Sequence, residues 1–126
     1  MKPLTLPWPP SVNRYWRSLG RGRVIISKEG REYRETVARV VGPLKRATGR
    51  LSVTILATVP DKRIRDLDNL LKAPLDALKH AGVYEDDNQI DDLRITRGDV
   101  RKPGWLWVSI SEREPFDVEA WKIQNL

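Results

Sequence analysis

Leu51-Ser52-Val53-Thr54-Ile55-Leu56-Ala57-Thr58-Val59 sets Leu51, Val53, Ile55, Ala57 and Val59 against Ser52, Thr54 and Thr58. Successive side chains of a strand point to opposite faces, so this period of two predicts a strand with one buried face. Pro60-Asp61 closes it. Downstream, Leu67, Leu70, Leu71, Leu75 and Leu78 form the apolar stripe of a helix, with Gly82 as its natural stop. Pro74 inside that stripe predicts a kink or a second helical start. Upstream, Leu4-Thr5-Leu6 is a short strand stopped by Pro7, and Val24-Ile25-Ile26 is another. Ser27 can cap a helix in which Tyr33, Val37, Val40, Val41 and Leu44 recur at helical spacing, with Gly42-Pro43 as its end. Leu93 to Arg97 and Trp105 to Ser111 read as two antiparallel strands joined by a Gly/Pro-containing loop. Strands and helices mix without a βαβ rhythm, which predicts an α+β fold: a small mixed sheet packed by about two main helices.

The 126 residues suit one domain, 1–126, with its core at about 4–112 and a tail at 113–126 where Phe116, Trp121 and Ile123 can dock. The net charge of +6 is unevenly spread. Residues 1–50 hold 12 Lys/Arg against 3 Asp/Glu, a balance of +9, and the remainder holds 11 against 14, a balance of −3. That asymmetry points to a polyanionic partner. The absence of cysteine excludes disulfide and thiolate chemistry. No apolar run approaches the ~20 residues that cross a bilayer, and the proline-rich start lacks the apolar stretch of a signal peptide. A cytoplasmic protein without membrane contact is expected.

Basic residues interleave with aromatics at Asn13-Arg14-Tyr15-Trp16-Arg17, with Arg21 and Arg23 close behind. Arg14, Arg17, Arg21 and Arg23 suit phosphate contact, as do Lys62, Arg63 and Arg65 in a second basic loop. Trp8, between prolines, reads as core. Two acidic clusters then stand out in this basic chain. Asp66-Leu67-Asp68-Asn69 is followed by Lys72, and Glu85-Asp86-Asp87 comes after the next turn. Carboxylates repel phosphate unless a divalent cation sits between them, and Mg²⁺ takes one or two carboxylates plus substrate phosphate. Mn²⁺ is the other candidate activator. Asp66 and Asp68 converge only if Asp66 is still extended and Asp68 begins the helix. Lys72 lies one turn beyond Asp68, and Asp76 continues that ladder as a surface partner. Spacing alone does not bring Asp86 and Asp87 back beside them.

If the clusters meet, the chemistry is metal-assisted phosphodiester hydrolysis, with Lys72 balancing charge on the transition state and Arg65 gripping the phosphate. The competing reading makes Asp68 a helix cap, Asp68–Lys72 a surface pair, Asp61 a turn residue, and Asp91 and Asp92 solvent-facing. His80, alone near a helix C-terminus, reads as structural and argues against a histidine-based metal site.

With these residues in place the chain resembles the RusA family of Holliday-junction resolvases, over roughly residues 4–112. The resemblance rests on Leu6-Pro7-Trp8-Pro9-Pro10-Ser11-Val12-Asn13-Arg14-Tyr15, on Ser27-Lys28-Glu29-Gly30-Arg31-Glu32-Tyr33-Arg34, and on Pro60 to Lys72 with Asp76-Ala77-Leu78, Gly82 and Asp86-Asp87. It implies a homodimer, Mg²⁺ dependence and paired incisions in branched, four-way DNA. It places the catalytic and metal-binding aspartates on Asp66, Asp68 and Asp87, the essential lysine on Lys72, and a commonly acidic neighbour on Asp86. Ile64 interrupts the basic run, and the tail after Glu112 exceeds what the family needs. A non-catalytic nucleic-acid-binding protein and a metal nuclease for flaps or single strands are the rival readings.

Overall fold

The computed structural model describes residues 1–126. In chain order it contains β1 (Leu4–Pro7), a single turn α1 (Val12–Tyr15), β2 (Trp16–Gly20), β3 (Arg23–Ile26), α2 (Lys28–Val41) and β4 (Leu51–Val59). A 3₁₀ turn at Leu67–Leu70 leads into α3 (Lys72–His80). A second 3₁₀ turn at Asp87–Gln89 leads into β5 (Ile90–Val100), then β6 (Trp105–Glu112) and α4 (Val118–Asn125). Four strands form one mixed sheet in the order β1-β6-β4-β5, and β2 and β3 form a separate ribbon. The fold is α+β, as its pattern predicts.

β4 holds the centre. Leu51, Val53, Ile55 and Ala57 are all buried, as the period of two requires. They join Leu6, Leu106 and Val108 from the neighbouring strands and Val37, Ala73, Ala77 and Leu78 from α2 and α3 in one 17-residue core. Ser27 caps α2, its Oγ accepting from the Gly30 amide at 2.9 Å, and Gly42 ends it at φ 65°. Pro74 marks a second helical start and not a kink. The 3₁₀ turn ends at Leu70, and Pro74 falls in the first turn of α3, where a missing N–H leaves no intrahelical bond unmade.

Three expectations are corrected. Strands β5 and β6 run in opposite directions but do not pair, because β4 lies between them, parallel to β5 and antiparallel to β6. Their connection arches over the end of β4: the Arg101 amide donates to the Val59 carbonyl at 2.8 Å. A Cβ on Gly104 would lie 2.8 Å from Pro60 Cδ. The unit β4-α3-β5 is therefore one βαβ crossover, hidden in the sequence by its short, proline-bearing helix. Second, Trp16–Gly20 is a strand although no period marks it, since every residue from Arg17 to Ile25 is exposed and no buried face imprints a pattern. Third, the tail forms α4, which buries none of its residues, and Phe116, Trp121 and Ile123 remain exposed instead of docking.

Candidate active site

Asp66 has extended backbone, φ −83° and ψ 133°, and Asp68 lies inside the 3₁₀ turn that follows. That is the local geometry their convergence requires. Neither carboxylate caps the turn. No ion pair joins Asp68 to Lys72, so the reading of a surface pair fails. Asp66 borders a cleft of about 290 Å³, together with Trp8, Ile64, Arg65 and Asn69. The Lys72 ammonium points elsewhere than to a carboxylate: it stands 5.8 Å from the centre of the Trp16 ring.

Asp76 is not a surface partner. It is half-buried, and the Tyr15 hydroxyl donates to it. Arg34 Nε donates to the same carboxylate at 2.8 Å and to Tyr15 Oη at 3.2 Å. Tyr15 is fully buried. Burial, then the hydrogen bond to Asp76, pushes its hydroxyl well above the ordinary phenolic range. The sequence gives no signal for this triad, because its members lie 19 and 42 residues apart or more.

The second acidic cluster is a built turn. Asp86 caps the 3₁₀ turn reciprocally with Gln89 and accepts from the Asn88 amide at 3.0 Å. That bond, with help from Asp87 and from Lys79 at 3.6 Å, holds the Asp86 carboxyl below its usual range. Gln89, which sequence reasoning missed, is buried and anchors the turn. Its Nε2 donates to the Ala47 and Gly49 carbonyls, and its Oε1 accepts from the amides of Glu85 and Asp86. Tyr84 is buried beside the turn and donates to the Leu75 carbonyl at 2.5 Å. Burial raises its pKa, and the charges of Asp87, Asp76 and Asp86 raise it further.

The crossover separates the two clusters. Asp87 precedes Ile90, which pairs with Leu51 at the start of β4. Asp66 follows Val59 at the other end, where the Arg65 carbonyl accepts from Arg97 at 2.9 Å. Ile90 and Arg97 are roughly 23 Å apart along a strand rising ~3.3 Å per residue. No three His, Asp or Glu side chains gather to hold one metal ion. The chain thus brings Asp66, Asp68 and Lys72 into one neighbourhood and Asp86 and Asp87 into another.

The basic residues divide likewise. Arg17, Arg21 and Arg23 stand exposed on the β2–β3 ribbon. Arg21 sits at φ 53° between two glycines that also have positive φ, which makes the tight tip of the ribbon. Arg14 pairs with Glu29 at 2.9 Å. Lys62 is exposed, and Arg63 lies 3.8 Å from Asp61. Arg65 is committed to the fold: it bonds Asp61 at 2.7 Å, stacks 5.5 Å from the Trp8 ring, and its side chain is only 19% exposed. A phosphate there would have to compete with the Asp61 carboxylate for the Arg65 guanidinium. Asp61 is a turn residue as expected, its pKa lowered by the Arg63 amide first and by Arg65 after it. Asp91 is not simply solvent-facing, because it pairs with Arg50 and, at 2.9 Å, with Arg113.

Comparison with known proteins identifies a family. The family model described as Endodeoxyribonuclease RusA matches residues 7–110. A crossover junction endodeoxyribonuclease of Enterobacteria phage HK97 is 48% identical over 113 residues, covering 86% of this chain and 92% of the relative. Proteins of the same name from Escherichia coli K12 and Enterobacteria phage 82 are 46% identical over 112 residues, with the same coverage. The matched span runs from the proline-rich start through both acidic clusters into β6, and on that ground the chain belongs to the RusA endodeoxyribonuclease family.

Proposed function

We propose that this protein is a metal-dependent endodeoxyribonuclease that resolves four-way DNA junctions as a homodimer inside the cell. The carrying observation is the family match across both acidic clusters in a chain of net charge +6. The relatives are named for cleavage at crossover junctions. Asp66, Asp68 and Asp87 are the proposed catalytic and metal-binding carboxylates, with Asp86 beside them.

The donor set suits Mg²⁺ in kind. Asp66 and Asp68 offer hard oxygens that no lysine or arginine neutralises, and Mg²⁺ needs only one or two carboxylates beside phosphate and water. Bound there, the ion would supply Lewis acidity at the phosphoryl oxygen and a more acidic water. Lys72 would balance the negative charge that grows on phosphate as the water oxygen bonds to phosphorus and the sugar oxygen leaves with a proton. Arg17, Arg21, Arg23 and Lys62 would hold the DNA arms through phosphates. Arg14 and Arg63 would first have to leave their carboxylate partners.

The separation of the acidic clusters supports the homodimer. One chain presents Asp66 and Asp68 at one end of the crossover and Asp87 at the other, so a second copy that pairs opposite ends would complete two sites at once. A two-fold dimer would offer those two sites to a two-fold junction. The test is incubation with a four-way junction and Mg²⁺. Symmetrically nicked duplexes are expected; a complex without cleavage would leave a DNA-binding protein, and cleavage confined to flaps or single strands would overturn the junction assignment.

A further inference from the structure

The ammonium of Lys72 has an aromatic partner and no acidic one. It lies 5.8 Å from the Trp16 ring centre, within the ~6 Å over which a ring face attracts a cation. Trp16 is itself held. Its ring meets Tyr15 edge to face, with centroids 5.2 Å apart and planes at 85°. Tyr15 is pinned from two sides: its hydroxyl by Asp76 and Arg34, and its carbonyl by the Ser27 amide at 3.0 Å and the Ser27 hydroxyl at 2.9 Å. Gly30 closes the joint so tightly that a Cβ there would lie 2.6 Å from the Tyr15 carbonyl oxygen. Trp16 is also the first residue of the basic ribbon.

We infer that Trp16 is a positioning residue for cleavage: its ring face holds the Lys72 ammonium in place for the phosphate, on a mount fixed by Tyr15, Asp76 and Arg34. A lysine has four rotatable bonds and a strongly hydrated head. An ammonium paired with a carboxylate would be partly neutralised before phosphate arrives. A ring orients it and leaves its charge and its donors for the reaction. The ribbon that carries the exposed arginines starts at the same residue, so the phosphate grip and the reacting cation share one anchor. This inference rests on the proposed role of Lys72 in junction cleavage.

The test is single-turnover cleavage of a four-way junction at saturating enzyme and Mg²⁺, with Trp16→Leu, Trp16→Phe, Lys72→Ala and the double variant Trp16→Leu/Lys72→Ala. Trp16→Leu is expected to slow cleavage by about fivefold, the upper end for a cation–π interaction at an exposed site, and saturating enzyme keeps any loss of junction affinity out of this rate. Trp16→Phe, with a weaker ring face, is expected to recover part of the rate, leaving a loss of about twofold. In the Lys72→Ala background Trp16→Leu is expected to add nothing. Equal proportional losses in both backgrounds, or no rescue by Phe, would overturn the inference and leave Trp16 as packing. Should Trp16→Leu melt below the assay temperature, Trp16→Phe carries the test through a smaller rate loss of about twofold that vanishes in Trp16→Phe/Lys72→Ala. A normal rate in Lys72→Ala would instead overturn the role of the lysine itself.

Discussion

Asp68 and Lys72 lie one helical turn apart without meeting, and each is free for a different task. The sequence showed both residues and their spacing, and the extended backbone at Asp66 followed by a turn at Asp68 was legible as a requirement. The partners were not. Trp16 against Lys72, Tyr15 and Arg34 against Asp76, and Gln89 beneath the acidic turn meet across long stretches of chain, and no local period encodes them. The contacts of Arg65 with Trp8 and Asp61 were likewise invisible in the sequence, which showed only its place in a basic loop. Replacing Asp68 by Asn keeps the size of the side chain and removes its charge. We expect cleavage to be lost, and junction binding to be unchanged or tighter, because the substitution deletes a proposed metal ligand while easing phosphate approach. Gel-shift titration beside a cleavage assay measures both; equal cleavage by variant and parent would remove Asp68 from the site.

Among the elements, those with a buried face were legible and those without one were not. β4 and α2 announced themselves through alternation, a serine cap and a glycine stop. The β2 strand was silent because the ribbon lies in solvent, and β5, with most of its residues exposed at the sheet edge, was read shorter than it is and in the wrong pairing. The exposure of the ribbon is also what the proposed phosphate contact requires. Arg17 and Arg23 project from it with no carboxylate partner, so the double variant Arg17→Ala/Arg23→Ala is expected to weaken junction binding at low salt. The slope of log affinity against log salt should flatten by about 2, near 0.9 for each phosphate that the protein no longer neutralises. An unchanged slope would place DNA on another face. At the root of the ribbon, Gly30→Ala is expected to destabilise the protein by roughly 1–3 kcal/mol, the usual range for overpacking. The new Cβ would press on Ile26 Cγ1 at 2.7 Å and on the Tyr15 carbonyl oxygen at 2.6 Å, and the carbonyl yields only if the backbone moves. A melting temperature equal to that of the parent would show that the joint is looser than its geometry.

For the whole molecule, the core and its polar clasps set how stability answers to pH. Tyr15, Tyr33 and Tyr84 are buried, and burial raises the pKa of all three. In the unfolded chain they ionise near pH 10. A raised folded-state pKa contributes stability that is complete below the unfolded value and is lost as pH climbs toward the folded one. Stability is therefore expected to fall steeply above pH about 10, and Tyr84→Phe, which keeps the ring and drops the ionisable group, should make the fall shallower. Chemical denaturation repeated from pH 8 to 11 measures this, and a parallel decline in both proteins would exclude Tyr84 as a cause.

The crossover that separates the acidic clusters also yields a test of assembly. Sequence spacing left open whether the two acidic clusters meet within one chain, and β4-α3-β5 carries Asp66 and Asp68 to one end and Asp87 to the other. If each site takes Asp68 from one copy and Asp87 from its partner, a mixed dimer of Asp68→Asn and Asp87→Asn chains concentrates both defects in one site and leaves the other intact. Two inactive proteins, unfolded and refolded together, should then regain cleavage. Because each mixed dimer has one working site, the product should be a single nick in the junction and not the paired cuts of the parent. If every site is built within one chain, each mixed dimer holds two defective sites and the mixture stays inactive. Cleavage of a labelled junction by the mixture, set against each variant refolded alone, separates the two architectures, and silence in the mixture would rule out a site shared between copies.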